Sequence, residues 1–126
     1  MFGNGQDKIT AIKNTLQLDF EFDHIKESII NAFEPIFSLK EAVEKLGTRG
    51  TAHETLASAV YCFVNCTSFI DTIRAAVLIA GDCDSRAAVA GTYYGLDGIP
   101  QNFIDEVEDT KLFQEYDEKL SEGFKL

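Results

Sequence analysis

Asp82, Cys83, Asp84 and Ser85 interrupt an apolar run that begins at Ala75 and stops at Gly81, and small residues resume after them toward Tyr93 and Tyr94. Two carboxylates one residue apart with a hydroxyl beside them are hard oxygen donors, the set that a divalent cation such as Mg²⁺ takes. The same spacing suits the start of a helix, where free amides and the positive end of the dipole favour carboxylates, with Asp84 as the cap. Spacing leaves both readings open. Two other readings fail. A calcium loop beginning at Asp82 needs Asp or Asn, then Gly, then Glu at positions where the chain has Arg86, Ala87 and Tyr93. A phosphatase of the strand-then-Asp-x-Asp type needs a parallel sheet, and only helix-like segments follow.

The remaining reactive side chains point to less. Cys62, Cys66 and Cys83 make an odd count without disulfide-framework spacing. No neighbouring histidine or further cysteine completes a tetrahedral zinc site, so they read as reduced, partly buried thiols. His24 and His53 stand near helix starts and are assigned to the surface or to local hydrogen bonds. The run from Asp105 to Glu118 holds seven carboxylates and one base, Lys111, and reads as a solvated helix face. No catalytic residue is assigned.

These residues belong to a chain of 126 residues that is 45% hydrophobic, enough for one domain with its own core spanning 1–126. With 21 acidic against 11 basic residues the net charge is −10, which repels phosphate backbones and anionic membranes; no nucleic acid and no membrane is expected as a partner. The segment MFGNGQDK lacks the apolar centre of a signal peptide, and the run from Ala75 to Ala80 is far short of a membrane span, so a cytoplasmic location is expected.

The elements that must position Asp82 and Asp84 read as helices throughout. Ile9, Ile12 and Leu16 fall at helical spacing behind a cap at Asp7, and Ile25, Ile29, Ile30 and Phe33 do so ahead of Pro35. Ser38 with Glu41, and Thr51 with Glu54, stand in capping-box register, and Gly47 suits a helix stop. A further helix opens at Thr67 or Ser68 and ends at Gly81. The next runs from Ser85 to Tyr94, followed by a turn at GLDG, a short helix opened by Pro100, and a last helix capped by Asp109 or Thr110 with Leu112, Phe113, Tyr116 and Leu120 as its apolar stripe. Nothing alternates with period two, so the fold class is all-α. Ala87, Ala88, Ala90 and Gly91 predict a central helix that neighbours approach closely, with Tyr93 and Tyr94 as packing residues.

The stretches ETLASAVYCFV and SFIDTIRAAVLIAGDCDSRAAVAGTYYGLDGIPQNFID resemble the C-terminal signature of the ADP-ribosylglycohydrolase family: Gly-Asp-x-Asp-Ser/Thr, a small-residue helix, Tyr-Gly and Ile-Pro, in order and at matching separations. The resemblance is strongest over 51–108. It implies an all-α compact orthogonal helical domain, two Mg²⁺ ions that orient an ADP-ribosyl ligand for hydrolysis, and metal-ligand roles for Asp82, Asp84 and Ser85. Two departures stand out. Ala80 replaces the first of a frequent glycine pair, and the family's Gly-Asp and Thr-Asp-Asp motifs do not occur in Met1 to Gly50. The expectation is therefore a truncated relative that keeps one half of a Mg²⁺ site, is inactive alone and acts as an assembly or interaction module. It would pair as a homodimer or homo-oligomer, or with a complementary chain. The alternative is a part of a Mg²⁺-dependent hydrolase that removes ADP-ribose from proteins once joined by that complementary chain.

Overall fold

The computed structural model describes residues 5–19, 21, 23–36 and 38–123. Every α-helix and strand assignment among them is helical: α1 (Gly5–Thr15), α2 (Asp23–Asn31), α3 (Leu39–Leu46), α4 (Ala52–Asn65), α5 (Phe69–Leu78), α6 (Cys83–Thr92), α7 (Gly95–Gly98), α8 (Gln101–Asp105) and α9 (Thr110–Gly123). The protein is all-α, as the absence of period-two alternation predicts.

Capping follows the sequence at α3 and α5 and departs from it at other helices. Ser38 accepts from the Glu41 amide at 3.1 Å to open α3, and Ser68 accepts from the Asp71 amide at 3.2 Å to open α5. Helix α1 starts at Gly5, so Asp7 lies inside it, and the Asp7 side chain is outside the described residues. At α4, Thr51 makes no side-chain cap bond, because Glu54 turns back to Arg49 instead of completing a capping box. The GLDG segment is the single helical turn α7 rather than an open turn. Before α9, Asp109 takes a φ of 58°, and the Thr110 hydroxyl donates to the Val107 carbonyl at 2.6 Å rather than accepting from an α9 amide.

Helix α4 is central: α2 packs on one side of it, and α5 and α6 pack on it and on each other. Its buried Ala57, Val60, Cys62 and Phe63 meet Ile29, Leu46, Ala76 and Ile79 in one core. Phe63 is fully enclosed, its ring 5.0 Å from that of Tyr93 and 5.2 Å, edge to face, from that of Tyr94. Burial of a side chain of that size is worth about 1.5–3 kcal/mol. Tyr93 and Tyr94 are thus packing residues. In α6, Ala90 and Gly91 are buried against the neighbours and Ala87 half-buried, whereas Ala88 faces outward. The small-residue helix is central along one face only.

Helix α1 is fastened by an unexpected group. Lys8 is buried, its Nζ donating to the Cys66 carbonyl at 3.0 Å and to the Tyr94 hydroxyl at 3.1 Å, and standing 4.4 Å from the centre of the Phe63 ring. The ammonium satisfies carbonyls at the C-terminal end of α4, where the helix dipole favours a cation. Helix α9 differs from all of these, since every residue from Lys111 to Gly123 is exposed. Leu112, Phe113, Tyr116 and Leu120 do fall on one stripe, but nothing among the described residues buries it.

Candidate functional site

The connection between α5 and α6 is built from backbone conflicts that specific partners resolve. The Ala80 amide bonds to Val77 at 3.0 Å, three residues back, and so leaves the Ala76 carbonyl without the partner that a continuing helix would give it. Ala80 and Gly81 then take φ of 63° and 67°, and the chain reverses. Glycine adopts this conformation without penalty; Ala80 does not. At Gly81 there is also no room for a side chain, since a Cβ would strike the Thr48 carbonyl. The Asp82 amide donates to that same carbonyl at 2.8 Å, which joins the loop ahead of α6 to the loop ahead of α4.

Asp82, by position, is the residue that opens α6, so Asp84, the cap expected from sequence, lies instead inside the first turn, two residues later. The Asp82 carboxyl makes no cap bond to the helix amides. It faces the Asp84 carboxyl at hydrogen-bonding distance and lies over Gly50, where a Cβ would collide with Oδ2. That hydrogen bond from Asp82, together with the amides of Ser85 and Asp84, holds Asp84 below the usual carboxylate range. Ser85 follows, exposed, in the same turn. All three oxygen-bearing side chains therefore sit at one helix N-terminus, and two of them touch.

Behind this turn is Arg86, which sequence reasoning passed over. It is 1% exposed. Nε donates to Ser58 Oγ, and Nη1 to the Ala76 and Ala80 carbonyls, each at 2.8 Å. The guanidinium supplies the bond that Ala76 lacks and ties α4, α5 and the reversing loop together. An arginine one position after Ser85, four after Asp82, reads from sequence as an exposed first-turn residue. The signal available was its place inside a run of small residues, where a long side chain has to go between helices.

The loop that meets Asp82 is held from its other side by Glu54. Its carboxylate accepts from the Arg49 amide at 2.8 Å and from Arg49 Nε at 2.8 Å, with Nη2 at 2.6 Å, and these contacts lower the Glu54 pKa and raise that of Arg49. A polar cleft of about 470 Å³ opens beside this loop, lined by Asn31, Lys45, Thr48, Arg49, His53 and Glu54 among others. It does not include Asp82 or Asp84. His24 and His53 meet edge to face with centroids 5.4 Å apart, and His53 Nε2 lies 3.8 Å from Glu54, so both histidines act locally as expected.

The three cysteines are free thiols. Burial pushes Cys62 up to about 12 and raises Cys66, which keeps both protonated and unreactive. The acidic residues of α9 are solvent-facing.

The Asp82 and Asp84 carboxyls, with the Ser85 hydroxyl beside them, fit a hard cation in donor type, since all three offer oxygen. They fall short in number. Mg²⁺ takes about six oxygen ligands, part of them water. Among the described residues no three His, Cys, Asp or Glu side chains come together as a metal-holding group.

Comparison with known proteins is consistent in kind. The family profile described as ADP-ribosylglycohydrolase matches residues 4–126. The chain is 32% identical over 96 residues to "ADP-ribosylhydrolase ARH3" of Xenopus tropicalis, an alignment that covers 64% of this chain and 27% of that protein. It is 31% identical over 84 residues to the protein of the same name from Homo sapiens, covering 55% and 23%. With "ADP-ribosylarginine hydrolase Tri1" of Pseudomonas putida it shares 29% over 121 residues, covering 93% and 31%. No solved structure matches. The chain spans about a quarter of the length of the curated relatives it matches. Its helical architecture and its profile match over nearly the whole sequence place this chain in the ADP-ribosylglycohydrolase family.

Proposed function

We propose that this chain carries one half of a divalent-cation site on the ADP-ribosylglycohydrolase scaffold, has no hydrolase activity by itself, and serves as an assembly or interaction module in the cytoplasm. The observation that carries the reading is the pairing of the Asp82 and Asp84 carboxyls at the start of α6, with Ser85 beside them, on a turn fixed by the Thr48 carbonyl and by Arg86. These three side chains would hold a Mg²⁺ ion through oxygen. When bound, such an ion neutralises and orients a negatively charged ADP-ribosyl group. The chain's own contribution is to keep the two carboxyls together and facing outward. Glycosidic cleavage also needs the ribose held, a water placed and the leaving group assisted, and neither the solvent-facing carboxylates of α9 nor Glu54, committed to Arg49, is available for those tasks.

A second reading, favoured by the chain's spanning about a quarter of its relatives, is that it forms part of a Mg²⁺-dependent hydrolase that removes ADP-ribose from proteins together with a complementary chain. Two measurements separate the possibilities. A cation bound with a Kd near its own concentration stabilises the native state by only about 0.4 kcal/mol, so 10 mM Mg²⁺ should raise Tm by about 1–3 °C, and Asp84→Ala should remove the increment. An absent increment overturns the half-site. ADP-ribosylated peptide with Mg²⁺ should release no ADP-ribose with this chain alone. Metal-dependent release that Asp82→Ala abolishes would overturn the interaction-module reading, and release seen only when a chain bearing Gly-Asp and Thr-Asp-Asp motifs is added would establish the split hydrolase.

A further inference from the structure

Three apolar depressions run together along α5 and on toward α8 and α9. One of about 400 Å³ lies among Phe69, Ile99, Phe103, Val107 and Phe113. A second, of about 470 Å³, shares Phe69 and Ile99 with it and adds Ile73. A third, of about 410 Å³, shares Ile73 and continues to Val77 and Leu78. Phe69, Ile73 and Val77 recur every fourth residue of α5, so the groove follows that helix for about 12 Å at ~1.5 Å per residue before reaching α8 and α9. Its walls are open to water: Val77 is 51% exposed, Leu78 65% and Phe113 62%. The uncovered stripe of α9 continues it, with Tyr116 and Leu120 one and two turns beyond Phe113. A contiguous apolar surface of this kind marks a docking site.

We propose that this groove docks an amphipathic helix with a basic flank, contributed by a second protein of different sequence. Two features select that occupant. The first is the groove's backbone chemistry. Its walls are helices, whose amides and carbonyls bond within themselves, and no strand edge exists among the described residues to pair with an extended peptide. An occupant must satisfy its own backbone, and a helix does so while laying one apolar face into the groove.

The second is charge. From Gly95 to Gly123 the chain has nine acidic and two basic residues, and Asp97, Asp105, Glu106, Glu108, Asp109 and Glu115 are all exposed around the groove's α8–α9 end. Lys or Arg on the flanks of the incoming helix would meet these carboxylates. A second copy of this chain would bring its own acidic rim and a net charge of −10 against the same charge, which works against a homodimer through this face. The proposal rests on the interaction-module reading and names its partner's chemistry.

The test uses the full chain and an 18-residue dye-labelled peptide of Leu and Lys, with Leu at helical i, i+3, i+4, i+7 spacing, read by fluorescence anisotropy in 150 mM NaCl. A second peptide has Glu in place of Lys. The Lys peptide is expected to bind in the micromolar range and the Glu peptide at least tenfold more weakly. The double variant Phe103→Ser, Phe113→Ser keeps the net charge and should lose at least tenfold in affinity for the Lys peptide; if its circular dichroism shows misfolding, Phe113→Ser alone gives the reading. Equal binding to the double variant means that charge alone attracts the peptide, and overturns the proposal. So does failure of both peptides to bind, or a sedimenting dimer that the Phe113 change dissociates, since a second copy would then be the occupant. Each of these outcomes is independent of the Mg²⁺ melting increment, so the groove and the half-site fail or stand separately.

Discussion

Replacing Arg86 by Met removes three hydrogen bonds and one buried charge while keeping a long apolar side chain in place. The balance can be worked from its partners. Ser58 Oγ still donates to the Glu54 carbonyl at 2.7 Å and loses only an incoming bond. The Ala76 carbonyl, buried, and the Ala80 carbonyl, partly buried, lose the Nη1 donor they share. An unsatisfied buried acceptor costs about 1–3 kcal/mol. Relief of the guanidinium's own desolvation offsets part of this, since buried ions are often replaced by apolar groups without loss. Here the offset is incomplete because the acceptors are main-chain groups that the substitution cannot remove. The expected net loss is about 2–4 kcal/mol, a large part of the ~5–15 kcal/mol that stabilises a small domain.

Urea titration followed by circular dichroism measures the loss directly, and a thermal scan should place Tm lower by roughly 10–20 °C. Arg86→Lys should fall between wild type and Arg86→Met, since an ammonium donates from one atom and cannot span Ser58 and the two carbonyls as the planar fork does. An Arg86→Met protein within about 0.5 kcal/mol of wild type, or more stable, would refute the account, because desolvation would then outweigh the carbonyls' need.

Two further outcomes follow from the same region. Ala80→Gly should stabilise the chain by about 1 kcal/mol, because a non-glycine residue at a φ of 63° carries a steric cost that glycine lacks; Gly81→Ala, at a φ of 67° and against the Thr48 carbonyl, should destabilise it by more than that. The Glu54–Arg49 interaction should show in acid: Glu54 has its folded pKa depressed, so its contribution is present above the unfolded carboxylate range near pH 4.3 and is lost as pH falls through the lower folded value. Urea stability of wild type and Glu54→Gln should therefore differ at pH 7 and converge toward pH 3, and a difference that persists unchanged at pH 3 would show that the Glu54 carboxylate is not the group responsible.

The fold was legible because helix signals are local. Ser38 and Ser68 cap as their sequence positions indicate, and Ile12 and Ile29 lie in the core that apolar periodicity outlines. Misreadings arise where a side chain has a choice of partner several residues away. Glu54 stands in register for Thr51 and yet goes to Arg49, since a charged, bidentate partner five residues back outcompetes a single neutral amide. Thr110 donates to the Val107 carbonyl in the connection ahead of α9 instead of capping that helix. Sequence reasoning singles out neither Lys8 nor Arg86: both long cations are buried because carbonyls at the ends of α4 and α5 need donors that no adjacent residue supplies.

The same reasoning explains why the candidate site is where the chain is most tightly determined. Thr48 gives its carbonyl to Asp82, Gly50 leaves space for the Asp82 carboxyl, and Arg86 holds Ala80, so that the position of one acidic side chain depends on loops ahead of two different helices and on a cation inside the core. An aspartate serving only as a helix cap needs none of this; its bond to the amides of its own helix suffices, and Asp82 does not make that bond. The local structure instead directs Asp82 toward Asp84. Asp82 is half-buried and Asp84 exposed, and the contact between them favours the ionised form of Asp84, while the left-handed Ala80 on the same loop carries a steric cost. Substituting Asp82 by Asn should therefore leave the fold intact and abolish the Mg²⁺ melting increment, whereas with Asp82 serving only as a cap Mg²⁺ would shift the melting temperature of neither protein.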